Sequence, residues 1–406
     1  METAITLKKE EIAPQVKENK PLKKAKFIFG LELMWVEIGI RLNIITLVVR
    51  FFKNPLTIIN VLRKLDQNRR AMLGNQRLIK LAKVGQKYYW DLYTPGWKSV
   101  AFENAIIGEI NRIQAVKSFP TNRLTNAFVA ITKKCPLQCE HCFEWENLNK
   151  KEVLTDTNLE TIIHNLSKIG VSQIQLTGGE PLMRIDDVLP IVEKYPHIDF
   201  WFLTSGYNLT LDKAKKLKKA GIAGIVVSID HYIPDFHNQF RGNPNSFSMA
   251  INAVSNTINE EINVALSICV SKSFVNEADL MNYMEFAREL GVTFVQILEP
   301  KSIGHFQGLS VTLEKKHFEI LDNFFLKMNY DPAFINYPII SYHGYYQRKA
   351  GCFASGNRNI YIDTDGDINA CPFCPSKVGN AISDDILLTI NQLEKRGCGS
   401  YNNVKF

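Results

Sequence analysis

Short, apolar, β-rich runs alternate with amphipathic stretches from Asn126 onward, and this alternation constrains the fold more than any other feature of the sequence. The six runs lie at residues 127–132, 171–177, 198–204, 222–229, 262–270 and 292–298. Strands this apolar are covered on both faces, and each run is followed by a candidate helix. The pattern predicts an α/β fold, a partial (β/α)6 TIM-type barrel that is open at one side, with its active loops after the strand ends.

The chain has 406 residues, of which 46% are hydrophobic, and this is enough for a large core and for two or three domains. We predict an N-terminal helical domain over residues 1–112, the partial barrel over 124–330 and a small C-terminal domain over 340–406.

Residues 1–100 carry 19 Lys and Arg against 8 Asp and Glu, so the net charge of +7 is concentrated there. A basic region can bind anionic lipid, nucleic acid or an acidic peptide, and charge alone does not choose among them. We expect no nucleic acid.

Large apolar residues recur at helical spacing between residues 31 and 52 and predict a helix. They are Leu31, Trp35, Ile38, Leu42, Ile45, Val49 and Phe52. Glu37 and Arg41 lie near the middle of this segment, where charged residues count against a membrane-spanning helix. A helix buried against the barrel is the favoured interpretation. The alternative is a helix at a membrane interface, flanked by Lys23, Lys24, Lys26, Arg50 and Lys53.

No secretory signal is apparent, because a charged lead that includes Lys8, Lys9, Glu10 and Glu11 precedes the first apolar stretch. We therefore expect a cytoplasmic protein, and a peripheral position at the inner face of the membrane is the alternative.

Residues 54–112 are predicted to be helical, with apolar residues on the helix faces. They contain a cluster of aromatic residues, Tyr88, Tyr89, Trp90, Tyr93 and Trp97. We expect this cluster to pack the N-terminal domain against the barrel.

Three cysteines follow the first predicted strand in a C-x3-C-x2-C pattern, Cys135, Cys139 and Cys142. Thiolates at this spacing can ligate three corners of a 4Fe-4S cubane and leave its fourth iron without a protein ligand. A structural zinc site is disfavoured, because it takes four ligands and His141 lies too close to its neighbours to complete a tetrahedron. A thioredoxin-like redox pair would leave the third cysteine unexplained. The pattern therefore favours an iron–sulfur cluster with an open iron.

This cysteine pattern after the first strand of a six-unit β/α chain resembles the radical S-adenosylmethionine (SAM) superfamily. Further segments at strand ends are similar to the family's SAM-binding positions. They contain His141, Gly178, Gly179, Glu180, Ser205, Ser228, Asp230, Arg241 and Leu298, with Gln296 and Glu299 near the expected adenine. The resemblance implies that Glu180 accepts a hydrogen bond from the SAM amino group, that Arg241 pairs with its carboxylate, and that the two glycines let the backbone approach the ligand. His141 stands where a large aromatic residue is common, and it is expected to stack on adenine.

The resemblance also implies the reaction. An electron from a donor such as flavodoxin or ferredoxin enters the 4Fe-4S cluster, and bound SAM is cleaved to methionine and a 5′-deoxyadenosyl radical. This radical abstracts a hydrogen atom from an unactivated carbon, while the protein positions that carbon and excludes water. The sequence identifies no catalytic base. Tyr342, His343, Tyr345 and Tyr346 are candidates for the barrel mouth, and aromatic packing explains them equally well.

Four more cysteines lie toward the C-terminus, Cys352, Cys371, Cys374 and Cys398. The spacing C-x13-G-x4-C, from Cys352 through Gly366 to Cys371, resembles the auxiliary-cluster extension called SPASM or its shortened form, twitch. The resemblance implies a second 4Fe-4S cluster, with Cys398 as its fourth ligand or else a free thiol. Zinc held by the same thiolates is the alternative. Cys269 lies inside an apolar run and is interpreted as a buried strand residue.

Tyr361 to Ile368 are predicted to form a hairpin, in which Asp365-Gly366 supplies a tight type I′ turn. Three aspartates of this segment imitate a calcium loop. The position that should hold Gly is Ile368 and the position that should hold Glu is Cys374, so the hairpin is favoured.

Enzymes with SPASM or twitch extensions modify peptides, proteins, sugars and small metabolites, so the resemblance favours a peptide or small-molecule substrate. Against a peptide, residues 1–110 lack the strand-rich start expected of a leader-peptide-binding module. A membrane-associated enzyme that modifies a lipid or isoprenoid chain is the first alternative, supported by the basic, apolar N-terminal segment. A non-enzymatic iron–sulfur or zinc protein is the second.

Overall fold

The computed structural model describes residues 25–74, 76–116 and 124–401 of the chain. Within these ranges the chain forms thirteen β-strands, arranged in two sheets, and twelve α-helices. The charged lead of the sequence, with Lys23 and Lys24, lies outside the described residues. None of the helices in these ranges is long and apolar enough to cross a bilayer.

The N-terminal region combines three helices with a small antiparallel sheet. The sheet contains β1 (Lys26–Ile28), β2 (Leu81–Val84) and β3 (Lys87–Tyr89), and the helices are α1 (Gly30–Phe51), α2 (Pro55–Leu73) and α3 (Val100–Ile113). The prediction of helix throughout residues 54–112 is therefore wrong at β2 and β3. Val84 pairs with Lys87, and Gly85 has a φ of +57° at the turn, so a two-residue connection makes this segment a hairpin.

The main sheet contains eight parallel strands. They are β4 (Asn126–Ala130), β5 (Gln173–Thr177), β6 (Asp199–Thr204), β7 (Gly224–Ser228), β8 (Asn263–Cys269), β9 (Phe294–Leu298), β10 (Ile339–Ser341) and β11 (Asn359–Ile362). All six predicted strands are confirmed, as β4 to β9. The two short strands lie at the edges of this set, where β10 pairs with β9 and β11 pairs with β4. In the described residues no pairing joins β10 to β11, and the barrel is open there.

Helices cover the outer face of this sheet. They are α4 (Asp156–Lys168), α5 (Ile185–Val192), α6 (Leu211–Lys219), α7 (Pro234–Arg241), α8 (Ser246–Asn259), α9 (Glu277–Leu290) and α10 (Lys315–Tyr330). Alternate strand residues such as Ile174, Phe202 and Val227 pack under these helices in one large hydrophobic core. Because side chains alternate along a strand, the intervening residues face the interior of the barrel.

The N-terminal region closes the barrel at the amino-terminal ends of the strands. A separate hydrophobic cluster joins Ala82, Tyr89 and Leu92 to Trp201, Val226, Ala265, Phe294 and Ile339 of the strands. Lys87 forms an ion pair with the buried Asp199, with 3.2 Å between Nζ and Oδ1. The expected packing of the aromatic cluster against the barrel is thus confirmed for Tyr89, and the loops at the opposite end of the strands are left to form a site.

The C-terminal region adds α11 (His343–Ala350), β12 (Asp367–Asn369), β13 (Gly379–Asn380) and α12 (Ile386–Arg396). The predicted hairpin is confirmed as β11 and β12, but its turn is not type I′. The backbone N–H of Asp363 donates to the carbonyl of Asp367, and that of Gly366 donates to the carbonyl of Asp363, both at 3.0 Å. Gly366 has a φ of +81°, so the connection is a three-residue loop that ends in a left-handed glycine.

Helix α1 has two apolar faces, and only one of them is covered. Leu33, Val36, Leu47 and Val48 are buried within the N-terminal region. The opposite face is exposed and contains Leu31, Trp35, Ile38, Leu42, Ile45 and Val49. The interpretation of this helix as buried against the barrel is therefore wrong, because α1 packs on α2 and α3 and leaves this face uncovered.

Candidate active site

The three cysteines of the C-x3-C-x2-C pattern lie in the loop that follows β4, at the carboxyl-terminal end of the barrel. Cys135, Cys139 and Cys142 line a cavity of about 480 Å³ in this end of the barrel. Burial raises the pKa of Cys135 and of Cys142 to about 12. Iron binds thiolates, so ligation there must displace these protons.

The loop after β5 holds the cysteine loop through backbone contacts. The N–H of Gly179 donates to the carbonyl of Thr132, and the N–H of Glu180 donates to that of Lys134, both at 2.7 Å. A Cβ on Gly179 would overlap the Lys134 carbonyl, and Gly178 has a φ of +128°. The two glycines therefore let the cysteine loop approach closely. From the sequence, we expected them to let the backbone approach a ligand.

We expect Gly179→Ala to destabilise the protein by about 1–3 kcal/mol, because the added methyl group meets backbone that cannot move aside. Urea unfolding at neutral pH measures this change. The matched control is Gly108→Ala in α3, where an added Cβ meets nothing within 4 Å. Equal stability of the two variants would contradict the assigned contact.

Two side chains that the sequence analysis missed also fix the cysteine loop. The Asn149 amide accepts from the Cys135 N–H and donates to the Cys135 carbonyl, both at 3.0 Å. His305 donates its backbone N–H to the Cys142 carbonyl at 2.9 Å, and its Nδ1 lies 3.0 Å from the Cys139 carbonyl oxygen. All three cysteines are thus positioned by segments from different parts of the barrel.

Glu180 is buried at the cavity wall and accepts four hydrogen bonds from the protein. Its carboxylate accepts from the Leu182 N–H at 3.0 Å, from the Thr204 hydroxyl at 2.6 Å, and from the N–H and hydroxyl of Ser205 at 2.9 and 2.5 Å. Burial raises the pKa of Glu180, and these four donors oppose the rise. The Ser205 hydroxyl thus donates to Glu180, and both residues line the cavity.

A buried ion pair lies directly behind Cys139. Arg241 pairs with Asp230 at 2.6 Å and its Nη1 lies 3.6 Å from the Cys139 Sγ. Burial opposes the charge on both partners, yet their attraction outweighs it, so the pKa of Asp230 is lowered and that of Arg241 is raised. Asp230 also accepts the Cys269 N–H at 3.0 Å. The arrangement fixes the Arg241 guanidinium beside the Cys139 sulfur.

His141 lies at the cavity edge with its ring stacked on Phe240, at 4.9 Å between centroids. Burial lowers the pKa of His141 to about 4, so the imidazole is neutral at pH 7. Its buried Nδ1 has no hydrogen-bond partner among the described residues. Stacking of this ring on adenine stays a prediction.

The remaining predicted contacts also reach the cavity wall. Ser228 and Leu298 line it at the ends of β7 and β9, and His343 lines it at the start of α11. The three tyrosines near His343, Tyr342, Tyr345 and Tyr346, make ring contacts with Phe325 instead. Packing therefore explains the tyrosines.

Tyr93 enters the cavity from the N-terminal region. Its hydroxyl hydrogen-bonds to Gln296, and its ring centroid lies 4.3 Å from that of His343. Its aromatic neighbours in the sequence made it look like another packing residue, and no local pattern distinguishes it.

The second cysteine group lines the same cavity as the first. Cys352, Cys371, Cys374 and Cys398 all contribute to its wall. Their thiols contact one another in the order Cys352, Cys398, Cys374 and Cys371. The structure thus brings Cys398 to the other three, and Cys269 is buried in β8 as predicted.

The donor set fits iron–sulfur chemistry. The first group offers three thiols and the second offers four, which suits one cluster with an open iron and one that is fully ligated. Among the described residues, no three His, Cys, Asp or Glu side chains already have the spacing of a single bound metal ion. The two cysteine groups are therefore recognised by the cavity that they share and by the contacts among their thiols.

Comparison with known families identifies the barrel. Residues 129–287 match the family model of the radical SAM superfamily. The chain contains a radical SAM domain. Its fold and its domain are those of enzymes that use a 4Fe-4S cluster and SAM.

Several curated relatives of this chain are GTP 3′,8-cyclases. The enzyme of Limosilactobacillus fermentum is 25% identical over 265 residues, which are 60% of this chain and 77% of the relative. The probable enzyme of Methanocaldococcus jannaschii is 33% identical over 177 residues, which are 42% and 57%. That of Thermococcus kodakarensis is 29% identical over 179 residues, which are 43% and 57%. The chain spans little more than half the length of the two archaeal relatives.

Solved radical SAM structures share the fold. Streptococcus suis SuiB bound to the precursor peptide SuiA has a TM-score of 0.54 at 14% identity, covering 70% of this chain and 69% of SuiB. The enzyme anSMEcpe with bound AdoMet, which is SAM, has a TM-score of 0.52 at 17% identity, covering 66% and 82%. At these identities the likeness concerns the fold alone.

Proposed function

We propose that this protein cleaves SAM reductively and abstracts a hydrogen atom from an unactivated carbon of a substrate bound in the cavity. The observation that supports this most strongly is that both cysteine groups line one cavity at the carboxyl-terminal end of the barrel. When bound, the cluster and SAM supply the electron transfer and the 5′-deoxyadenosyl radical. A donor such as flavodoxin or ferredoxin is the proposed electron source.

The residues of this chain have distinct roles in the proposal. Cys135, Cys139 and Cys142 hold the first cluster, and Cys352, Cys371, Cys374 and Cys398 hold the second. Residues proposed to bind SAM are His141, Gly178, Gly179, Glu180, Ser205, Ser228, Asp230, Arg241 and Leu298. In this set Asp230 acts through Arg241, because it holds the guanidinium that faces Cys139.

The charge of the cavity argues against GTP as the substrate. Within the described residues, its lysine and arginine side chains are Lys301 and Arg241, and carboxylates pair with both, Glu299 at 3.2 Å and Asp230 at 2.6 Å. Four carboxyl groups line the same wall. A triphosphate entering it would meet no uncommitted cation, so we infer a substrate without a polyanionic group.

A peptide or a neutral small molecule fits this wall, and SuiB was crystallised with a precursor peptide. The second candidate is a lipid or isoprenoid chain. Two observations favour it, the many apolar side chains of the cavity wall and the uncovered apolar face of α1. In that case the protein works in the cytoplasm at the inner face of the membrane.

Deuterium transfer tests the proposed reaction. The reconstituted, reduced protein is incubated without oxygen with SAM and one perdeuterated candidate at a time: a peptide digest, a polyprenol in detergent, or GTP. Deuterium is expected in 5′-deoxyadenosine with one of the first two and not with GTP. Deuterium transferred from GTP would contradict the inference from charge. A protein that does not cleave SAM would contradict the whole proposal.

The second cysteine group is expected to bind iron independently of the first. The reconstituted wild type should contain about eight iron atoms per chain. Cys371→Ala combined with Cys374→Ala should contain about four, because the two thiolates that remain in the second group are too few to hold a cubane. Iron and sulfide analysis measures this, with zinc determined in the same samples. Zinc in place of the lost iron would favour the all-cysteine zinc site instead.

A further inference from the structure

The uncovered face of α1 is a continuous apolar surface. Its residues, from here on the α1 apolar surface, are Leu31, Trp35, Ile38, Leu42, Ile45 and Val49, with exposures between 39% and 74%. They recur every three or four residues and form one stripe about 27 Å long at a rise of 1.5 Å per residue. Leu56 and Ile59 of α2 are also exposed, at 77% and 53%. Single exposed leucines need no explanation, but a patch this long marks an interaction site.

Folding of residues 25–74, 76–116 and 124–401 does not account for the α1 apolar surface. The opposite face of α1 supplies the buried residues Leu33, Val36, Leu47 and Val48, which hold the helix in place. Glu37 and Arg41 form an exposed i,i+4 pair at 3.7 Å beside the surface. The surface is therefore presented by a helix that is already packed, so its occupant binds a preformed shape.

The charge around the surface selects among occupants. Residues 25–74 contain eight Lys and Arg against three Asp and Glu, a net charge of +5. Four of these cations, Arg50, Lys53, Arg63 and Lys64, form no ion pair within the described residues and lie on α1, α2 and the turn between them. An apolar stripe beside unpaired cations is complementary to a bilayer that contains anionic lipid.

The other occupants are disfavoured by the same charge. A second copy of the chain would bring two surfaces of charge +5 together. Residues 1–24 carry six lysines against four glutamates, so they too would add like charge. An anionic bilayer neutralises these cations and covers the apolar side chains in one step.

We propose that the α1 apolar surface docks on the anionic face of a membrane, with α1 parallel to the bilayer plane and its apolar side chains in the interface. The surface is also linked to the cavity, because α2 packs against α11, and His343, Gly344 and Gln347 of α11 line the cavity. Docking does not depend on the proposed radical chemistry.

Vesicle flotation with the full chain tests this proposal. Wild type is expected to float with vesicles of phosphatidylcholine mixed with phosphatidylglycerol, less with phosphatidylcholine alone, and less in high salt, which screens the cations. Trp35→Glu combined with Leu42→Glu should reduce the bound fraction by about tenfold or more. The control is Leu388→Glu, at an exposed leucine of α12 (62%), which should float like the wild type.

Far-UV circular dichroism and SAM cleavage of the double variant show that its fold and chemistry persist. Failure of the wild type to bind anionic vesicles, or equal binding by the double variant, would overturn the proposal. So would light scattering that shows a wild-type dimer, a monomeric variant and no vesicle binding, because the surface would then be a subunit interface. If the wild type floats with anionic vesicles but does not cleave SAM, the docking proposal stands and the proposed function is contradicted.

Discussion

Cys142→Ala is expected to lose about four iron atoms per chain and all SAM-dependent chemistry, while its second cluster stays in place. Cys142 is one of the three thiols in the loop after β4 that line the cavity, and burial raises its pKa to about 12, which favours the protonated thiol until metal binds. Two thiolates cannot hold a cubane that already has one open iron. Iron analysis and optical absorption after anaerobic reconstitution measure the loss.

The matched control for this change is Cys269→Ala. Cys269 is also buried and also lines the cavity, but it lies in β8 and is assigned to neither cluster. Its removal should leave the iron content and SAM cleavage near the wild-type values. Loss of iron from Cys269→Ala, or its retention in Cys142→Ala, would contradict the assignment of ligands.

Asp230→Ala is expected to lower the free energy of unfolding by about 3–5 kcal/mol, because it leaves a buried charge without its partner. The side chains of Asp230 and Arg241 are only 3% and 8% exposed. The variant also leaves the Cys269 N–H without an acceptor. Urea unfolding of the metal-free protein measures the change separately from cluster loss.

A double variant separates the charge from the shape. Asp230→Leu combined with Arg241→Met removes both charges, and we expect it to regain much of the stability lost in Asp230→Ala, because the cost of an unpaired ion is gone. It should not regain SAM cleavage, since Cys139 no longer faces a guanidinium. Equal stability of wild type and Asp230→Ala would show that the pair contributes nothing to the fold.

The strands of the barrel could be predicted because each is a continuous apolar run that is buried on both faces. The short strands β10 and β11 could not, because three or four residues give no period and their partners lie far away in the sequence. Ile339 pairs with Phe294, and Asn359 pairs with Asn126. Local pattern likewise missed the hairpin of β2 and β3, whose strands are equally short.

The same distinction applies to the site. The cysteines and Glu180 stand in local motifs and were found there. Asn149 and His305 were missed because they act on backbone atoms of a distant loop, and Tyr93 because it meets Gln296 across 203 positions of the chain. Only the fold brings such residues together.

Helix α1 shows a further limit. Its apolar period predicted the helix correctly but did not decide which face is covered, because apolar residues occupy two opposite faces. Leu33 and Val36 pack on the small antiparallel sheet, and Leu47 and Val48 pack on α2 and α3. This packing leaves the face of Trp35 and Leu42 exposed.

The central claim is that three thiols of the loop after β4 hold a cluster that cleaves SAM. The most direct measurement is the amount of 5′-deoxyadenosine formed when the reconstituted protein is reduced without oxygen in the presence of SAM. The wild type should form it, and a variant with alanine at Cys135, Cys139 and Cys142 should form none above background. Equal amounts from the two proteins, or none from either, would contradict the claim.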